Sequence, residues 1–240
     1  MFDQLITTTT PAAPKMIVYG PAGAGKTSLA ASADAVLIDC ENGAGNIAGL
    51  TRTPYLDTWP KMRDWLTAIA KEPPKKALAI DTIDWMVQRI CEHVVLDMGG
   101  GKGDLTNTLG SSHGGYYKAR EIVLNLIYRD VLPMLNYING KGVSLILLAH
   151  AHNAKITTPE GFTLQQATPD LPTWGVLPPF VEWADAVIYI DKQGEDRQLV
   201  TTGTNTVLAK NRYRLPPAMP FPETGSWQSL VSAITRKDSK

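Results

Sequence analysis

Apolar positions gather into five short, near-continuous runs: MIVYG (16–20), AVLID (35–39), ALAID (77–81), VSLILLAH (143–150) and AVIYID (186–191). Most are rich in β-branched residues. Runs apolar at consecutive positions suit strands buried on both faces of a parallel sheet. Between them lie stretches of helical periodicity at about 26–33, 59–71, 82–97 and 117–139; in the last, Ile122, Val123, Leu126 and Ile127 share a face. This alternation predicts right-handed crossovers and a three-layer α/β domain, a mostly parallel central sheet with helices on both faces.

Two long stretches break the alternation: the glycine-rich 98–116 and then 151–175. Long loops inside a compact domain are uncommon and usually functional, so both are expected to carry function. Segments 198–202 and 206–209 read as hairpin strands, 215–222 is proline-rich, and one short helix is expected at about 225–236. Residues 1–14 read as an N-terminal arm, with four threonines, two prolines and one apolar cluster at Phe2, Leu5 and Ile6; residues 15–240 read as a single core domain.

Composition narrows the class without changing that picture. The 240 residues are 44% hydrophobic and 19% charged, with 23 basic and 23 acidic residues and no net charge. That balance argues against a protein coated in positive charge for duplex DNA, while leaving room for a local nucleic-acid groove. No run is long enough for a membrane span, and the first residues lack the regions of a signal peptide. Two cysteines, Cys40 and Cys91, make no disulfide framework, so a reducing cytoplasm is expected.

The chemistry begins where the first strand ends. Gly20-Pro-Ala-Gly-Ala-Gly-Lys-Thr27 matches every position of a phosphate-binding P-loop, in its required context between a strand and a helix. Gly20, Gly23 and Gly25 let the backbone curl so that its N–H groups, with those of Ala24, Lys26, Thr27 and Ser28, converge on phosphate oxygens. Lys26 is then expected to reach the β- and γ-phosphates of a nucleoside triphosphate, and the Thr27 hydroxyl to ligate Mg²⁺. Asp81, closing ALAID, is the expected carboxylate behind the same metal; a helix N-cap is its other reading. Hydrolysis also needs a group to polarise water. Thr82 follows Asp81, so the base must come from elsewhere, and Glu41 after AVLID shares the carboxyl-end rim of the sheet. Asp39 competes for that role.

These segments resemble the RecA-like core ATPases, and more closely the small phage-encoded, single-domain relatives that act in recombination and single-strand annealing. GPAGAGKT, LIDCE, LAIDT, LILLAH and LAKNRYRLP carry the resemblance, which spans about residues 15–216. It implies an ATP-dependent, Mg²⁺-requiring ATPase with Glu41 as catalytic glutamate, Asp81 as metal ligand and His150 as γ-phosphate sensor at the tip of the fourth strand, with His152 as the other choice. Lys210 and Arg212 resemble the basic pair that crosses to a neighbouring subunit's γ-phosphate; a solvated strand edge is their alternative reading. The resemblance further implies a homo-oligomer (filament or ring), single-stranded DNA bound by the two long loops, a single-strand-binding protein as a further partner, and a cytoplasmic location, the host's if phage-encoded. Lys102, Tyr116, Tyr117, Lys118 and Arg120 in and after the first loop, and Lys155, Phe162, Gln165, Gln166 and Trp174 in the second, are the residues offered for DNA, with a place in the core as the other reading of Tyr116, Tyr117 and Trp174. No aromatic lies between 42 and 50 to stack on a base, so preference for adenine rests on the resemblance alone. The large N-terminal and extended C-terminal domains of RecA itself, and the helical lid of AAA+ machines, are not expected. Two rivals remain: a P-loop phosphotransferase, which would need an arginine-rich lid, and a nucleotide switch or loader acting through a protein partner.

Overall fold

A computed structural model describes residues 12–98, 108–158 and 160–235; the arm residues Phe2, Leu5 and Ile6, and Lys102 of the first loop, lie outside them. Strand β1 (Lys15–Gly20) leads through the P-loop to helix α1 (Lys26–Ser32), then β2 (Val36–Asp39) and the two-residue β3 (Thr51–Arg52). Helix α2 (Trp59–Lys71), β4 (Ala77–Asp81) and α3 (Ile83–Leu96) follow, then α4 (Lys118–Leu126) and α5 (Leu132–Gly140). The remainder comprises β5 (Ser144–Thr157), β6 (Thr163–Pro169), α6 (Leu177–Trp183), β7 (Ala186–Gln193), β8 (Asp196–Val200), β9 (Lys210–Asn211), β10 (Ala218–Pro220) and α7 (Ser226–Thr235).

The sheet runs β10-β8-β7-β1-β5-β4-β2-β3. From β7 to β3 every neighbour is parallel, and β8, β9 and β10 add antiparallel pairings at the far edge. The apolar runs behave as their composition requires. Met16 and Val18 pack with Leu37, Ala79, Ile146, Leu148 and Ile188 under α1 and α7, whereas Ile17 and Tyr19 pack with Ile38, Ile80, Leu145 and Leu147 under α2 to α6. Alternate residues thus enter opposite cores, which buries β1 from Met16 to Gly20 and makes its carboxyl end a rigid base for the P-loop. This is the expected three-layer α/β arrangement, a mostly parallel central sheet with helices on both faces.

Several expectations need correction. Residues 151–175 are not a loop: β5 continues seven residues past His150 and pairs with β6, from Ala151↔Pro169 to Thr157↔Thr163. Backbone pairing along Ala151–Thr157 carries that hairpin beyond the parallel sheet. Of 206–209, only Val207 bridges, to Ala167, and the next pairing is Lys210 with Val187. The helix expected over 117–139 is interrupted by a π-turn at Ile127–Val131, just before Pro133. Pro178 and Pro179 stand in the first turn of α6, where a missing N–H costs little. Among the described residues no helix is long and apolar enough to cross a membrane.

Candidate active site

β1 stops at Gly20 because the next residues must turn back over the strand end. Gly23 and Gly25 take φ of 68° and 101°, and Gly25 forms the cap of α1. Glycine at 25 is required twice over. Its φ excludes a side chain at low cost, and a Cβ there would stand 2.8 Å from the Phe221 ring and 3.0 Å from the Arg197 guanidinium. Inside the loop the Lys26 ammonium, 7% exposed, donates to the carbonyl oxygens of Gly20 (3.0 Å) and Pro21 (3.1 Å). Burial pushes its pKa down, and attraction to Asp81, Glu41 and Asp84 works against that.

Asp81 ends β4 beside the loop, two strands away through β5. The Thr27 hydroxyl donates to its Oδ2 at 2.8 Å. Burial pushes the Asp81 carboxyl up to about 6, with the Glu41 charge adding to the rise and the Thr27 hydrogen bond and Lys26 opposing it. A buried carboxylate with that little compensation, joined to a hydroxyl, fits a hard cation: Thr27 and Asp81 are the residues that would hold Mg²⁺. The residue capping α3 is Thr82, so Asp81 closes the strand and does not cap the helix.

The two carboxylates after β2 occupy different places. Asp39 is buried; its Oδ1 accepts the backbone N–H groups of Glu41 (3.2 Å) and Asn42 (2.7 Å), and its Oδ2 meets Arg52 at 3.0 Å. It builds the turn that presents Glu41. The Glu41 Oε1 accepts the Thr82 hydroxyl at 2.6 Å and lies 3.6 Å from His150 Nε2, while among the described residues Oε2 has no hydrogen-bond partner. His150 ends the part of β5 that lies in the parallel sheet, beside Gly20 and the end of β4, its ring Nδ1 2.8 Å from Asp84 Oδ2. His152 is 56% exposed at its side chain and stands 4.0 Å from Asp170, outside this cluster.

Four contributors escaped sequence reasoning. Thr82 and Asp84, in the first turn of α3, become visible only once β5 is threaded between β1 and β4. Lys192 and Arg197 face each other across the β7–β8 hairpin. Lys192 Nζ donates to the Gly23 carbonyl at 3.2 Å, and Arg197 lies against Gly25 and the Phe221 ring. No spacing in the sequence announces that this hairpin folds back over the P-loop.

Lys210 and Arg212 stand elsewhere. β9 pairs with Ala186 and Val187 at the start of β7, the opposite end of the sheet from Gly20. The Lys210 ammonium donates to the carbonyls of Val181, Glu182 and Ala184 at 2.7–2.9 Å, capping the end of α6. Arg212 donates to Asp185 Oδ1 (3.2 Å) and the Glu182 carbonyl (3.2 Å). Within the chain both side chains are tied down, because the carbonyls closing α6 and the Asp185 carboxylate need donors. Trp174 is also reassigned, being partly buried against the core with the Arg120 guanidinium 5.2 Å from its ring. By contrast Tyr116 is 94% exposed and Phe162 68%.

The sequence profile of a family described as AAA domain matches residues 12–213, which include every site residue named above. The chain belongs to this family. The matched range takes in β1, β4 and β5 together, not GPAGAGKT alone. No curated protein matches the chain. Among solved structures it is similar to a KaiC-like protein of the hyperthermophilic archaeon Pyrococcus horikoshii, at 18% identity and a TM-score of 0.43 over 83% of this chain and 82% of that one.

Proposed function

We propose that the protein is a Mg²⁺-requiring ATPase that assembles with copies of itself and binds single-stranded DNA in recombination or strand annealing. The observation that carries the ATPase reading is the 2.8 Å bond between Thr27 and Asp81 directly beside Lys26, with Glu41 on the same rim. Bound Mg²⁺ would neutralise phosphate charge. Lys26 holds the β- and γ-phosphates once it exchanges its two loop carbonyls for phosphate oxygens. Glu41, fixed through Oε1 by Thr82, takes a proton from a water through Oε2; that water attacks the γ-phosphorus as the bond to ADP breaks.

DNA binding is assigned to the β5–β6 hairpin, which stands beyond the rim with Lys155, Phe162 and Gln165 exposed. A cation for the backbone and a ring for stacking are the two elements of single-strand recognition. Replacing Lys155 and Phe162 together by alanine is expected to weaken single-strand binding at least tenfold, since each stacked base is worth about 1–3 kcal/mol, and to leave basal ATPase unchanged. Fluorescence anisotropy on a labelled oligonucleotide at several salt concentrations reads this. Equal affinity in both proteins, with no salt dependence, contradicts the assignment.

Assembly is proposed because Arg212 cannot serve its own site across the sheet, yet its side chain stays half exposed and keeps further N–H donors. In a ring or filament Arg212 would reach a neighbour's γ-phosphate, with Lys210 bracing the strand that carries it. Mixing Lys26→Ala subunits with Arg212→Ala subunits should restore part of the ATPase activity that each lacks alone. A mixture no more active than its components, with both still assembling, removes Arg212 from the chemistry.

A further inference from the structure

Asp84 is engaged at both carboxylate oxygens by one residue of another element. Oδ1 accepts the backbone N–H of His150 at 3.1 Å and Oδ2 meets the ring Nδ1 at 2.8 Å. Its side chain is only 11% exposed. The double contact fixes this part of β5 and the ring plane together, and it requires Nδ1 to carry a hydrogen. Nε2 is then directed at Glu41 Oε1, 3.6 Å away. A neutral ring with its hydrogen on Nδ1 would turn a lone pair toward that carboxylate, so the arrangement favours the doubly protonated ring. One polar atom from each of Glu41, Asp84 and His150 lies within 4.8 Å of the others, a closeness that the Asp84–His150 hydrogen bonds and the His150–Glu41 ion pair explain.

We propose that Asp84 is a positioning residue for the hydrolysis described above, holding His150 as an imidazolium whose Nε2–H faces Glu41 and the γ-phosphate cleft. The inference rests on the ATPase reading. His150 then supplies a fixed positive charge in cis. The groups facing the ring are Asp84 from α3, Glu41 from the turn after β2 and Lys26 from α1. The Asp84 hydrogen bond raises the ring's pKa most, partial burial opposes it, and the two carboxylates outweigh the repulsion from Lys26. The charged form is therefore present below the ordinary histidine range and lost only as pH rises through a value above it.

The full chain with MgATP tests this. Asp84→Asn keeps the shape and an oxygen for one N–H, but removes the charge that stabilises the imidazolium. The alkaline limb of the kcat–pH profile should move down by about one pH unit or more, a tenfold change in the protonation equilibrium. His150→Gln should lack that limb. The His150 ring, assigned in NMR spectra by its loss in His150→Gln, should titrate at correspondingly lower pH in Asp84→Asn, and thermal melting checks that the fold is retained. A His150 titration unmoved by Asp84→Asn overturns the proposal, as does a moved titration with an unmoved kcat limb. A protein that hydrolyses no ATP, yet shows the NMR shift, retains the Asp84–His150 linkage and overturns the ATPase reading instead.

Discussion

Lys26→Ala should reduce ATP turnover by three orders of magnitude or more, to the background of the assay. The ammonium is the cation enclosed by the P-loop itself, held at 3.0 and 3.1 Å by the Gly20 and Pro21 carbonyls and nearly inaccessible to water. Losing one preorganised donor to developing charge costs about 10²–10³ in kcat, and Lys26 supplies a full charge in a low-dielectric cleft. Nucleotide affinity should fall as well, because the same charge holds the ground-state phosphates. Lys192 over Gly23 is a poor substitute, since it reaches the outside of the loop through a carbonyl. Phosphate release together with binding of a fluorescent ATP analogue reads both effects, and melting confirms the fold. Undiminished turnover would remove the P-loop from the chemistry.

Glu41→Gln should separate binding from catalysis. Glutamine can still accept the Thr82 hydroxyl, so the loop stays in place, but its amide cannot take a proton from water. ATP and Mg²⁺ affinity should persist while kcat drops by about 10²-fold or more, the usual scale for a general base. Asp39→Asn should behave differently. Its carboxylate is consumed by two backbone N–H groups and Arg52, so its loss should appear first as a lower melting temperature, with roughly 1–3 kcal/mol at stake for a buried, charge-assisted network. Full activity in Glu41→Gln and a large kcat loss in a well-folded Asp39→Asn would assign the base to Asp39.

The layered fold could be anticipated because the information is local. Continuous apolar runs between amphipathic stretches dictate doubly buried parallel strands, and a P-loop between a strand and a helix fixes one end of the sheet. Lys26 and Thr27 were legible from the P-loop motif, Asp81 and Glu41 from the rule that functional groups gather where the strands end, and His150 from the resemblance. What remained hidden depends on non-local pairing. The 151–175 segment looks like a loop because prolines, glycine and threonines dominate it, yet Ala151–Thr157 pairs with β6 through backbone bonds that hardly depend on side-chain type. Lys210 looked free because nothing nearby in sequence reveals that α6 ends beneath it with three unpaired carbonyls. Asp84 sits in an ordinary first helical turn, and its role follows only from the β4–β5 register that brings His150 above it.

The most direct test of the central claim is steady-state phosphate release from ATP by the wild-type protein, measured with Mg²⁺ and again with the metal chelated. The geometry of Thr27, Asp81, Lys26 and Glu41 predicts turnover that vanishes on chelation and returns when Mg²⁺ is restored. Tight ATP binding without hydrolysis under any of these conditions would contradict it and make the protein a nucleotide switch.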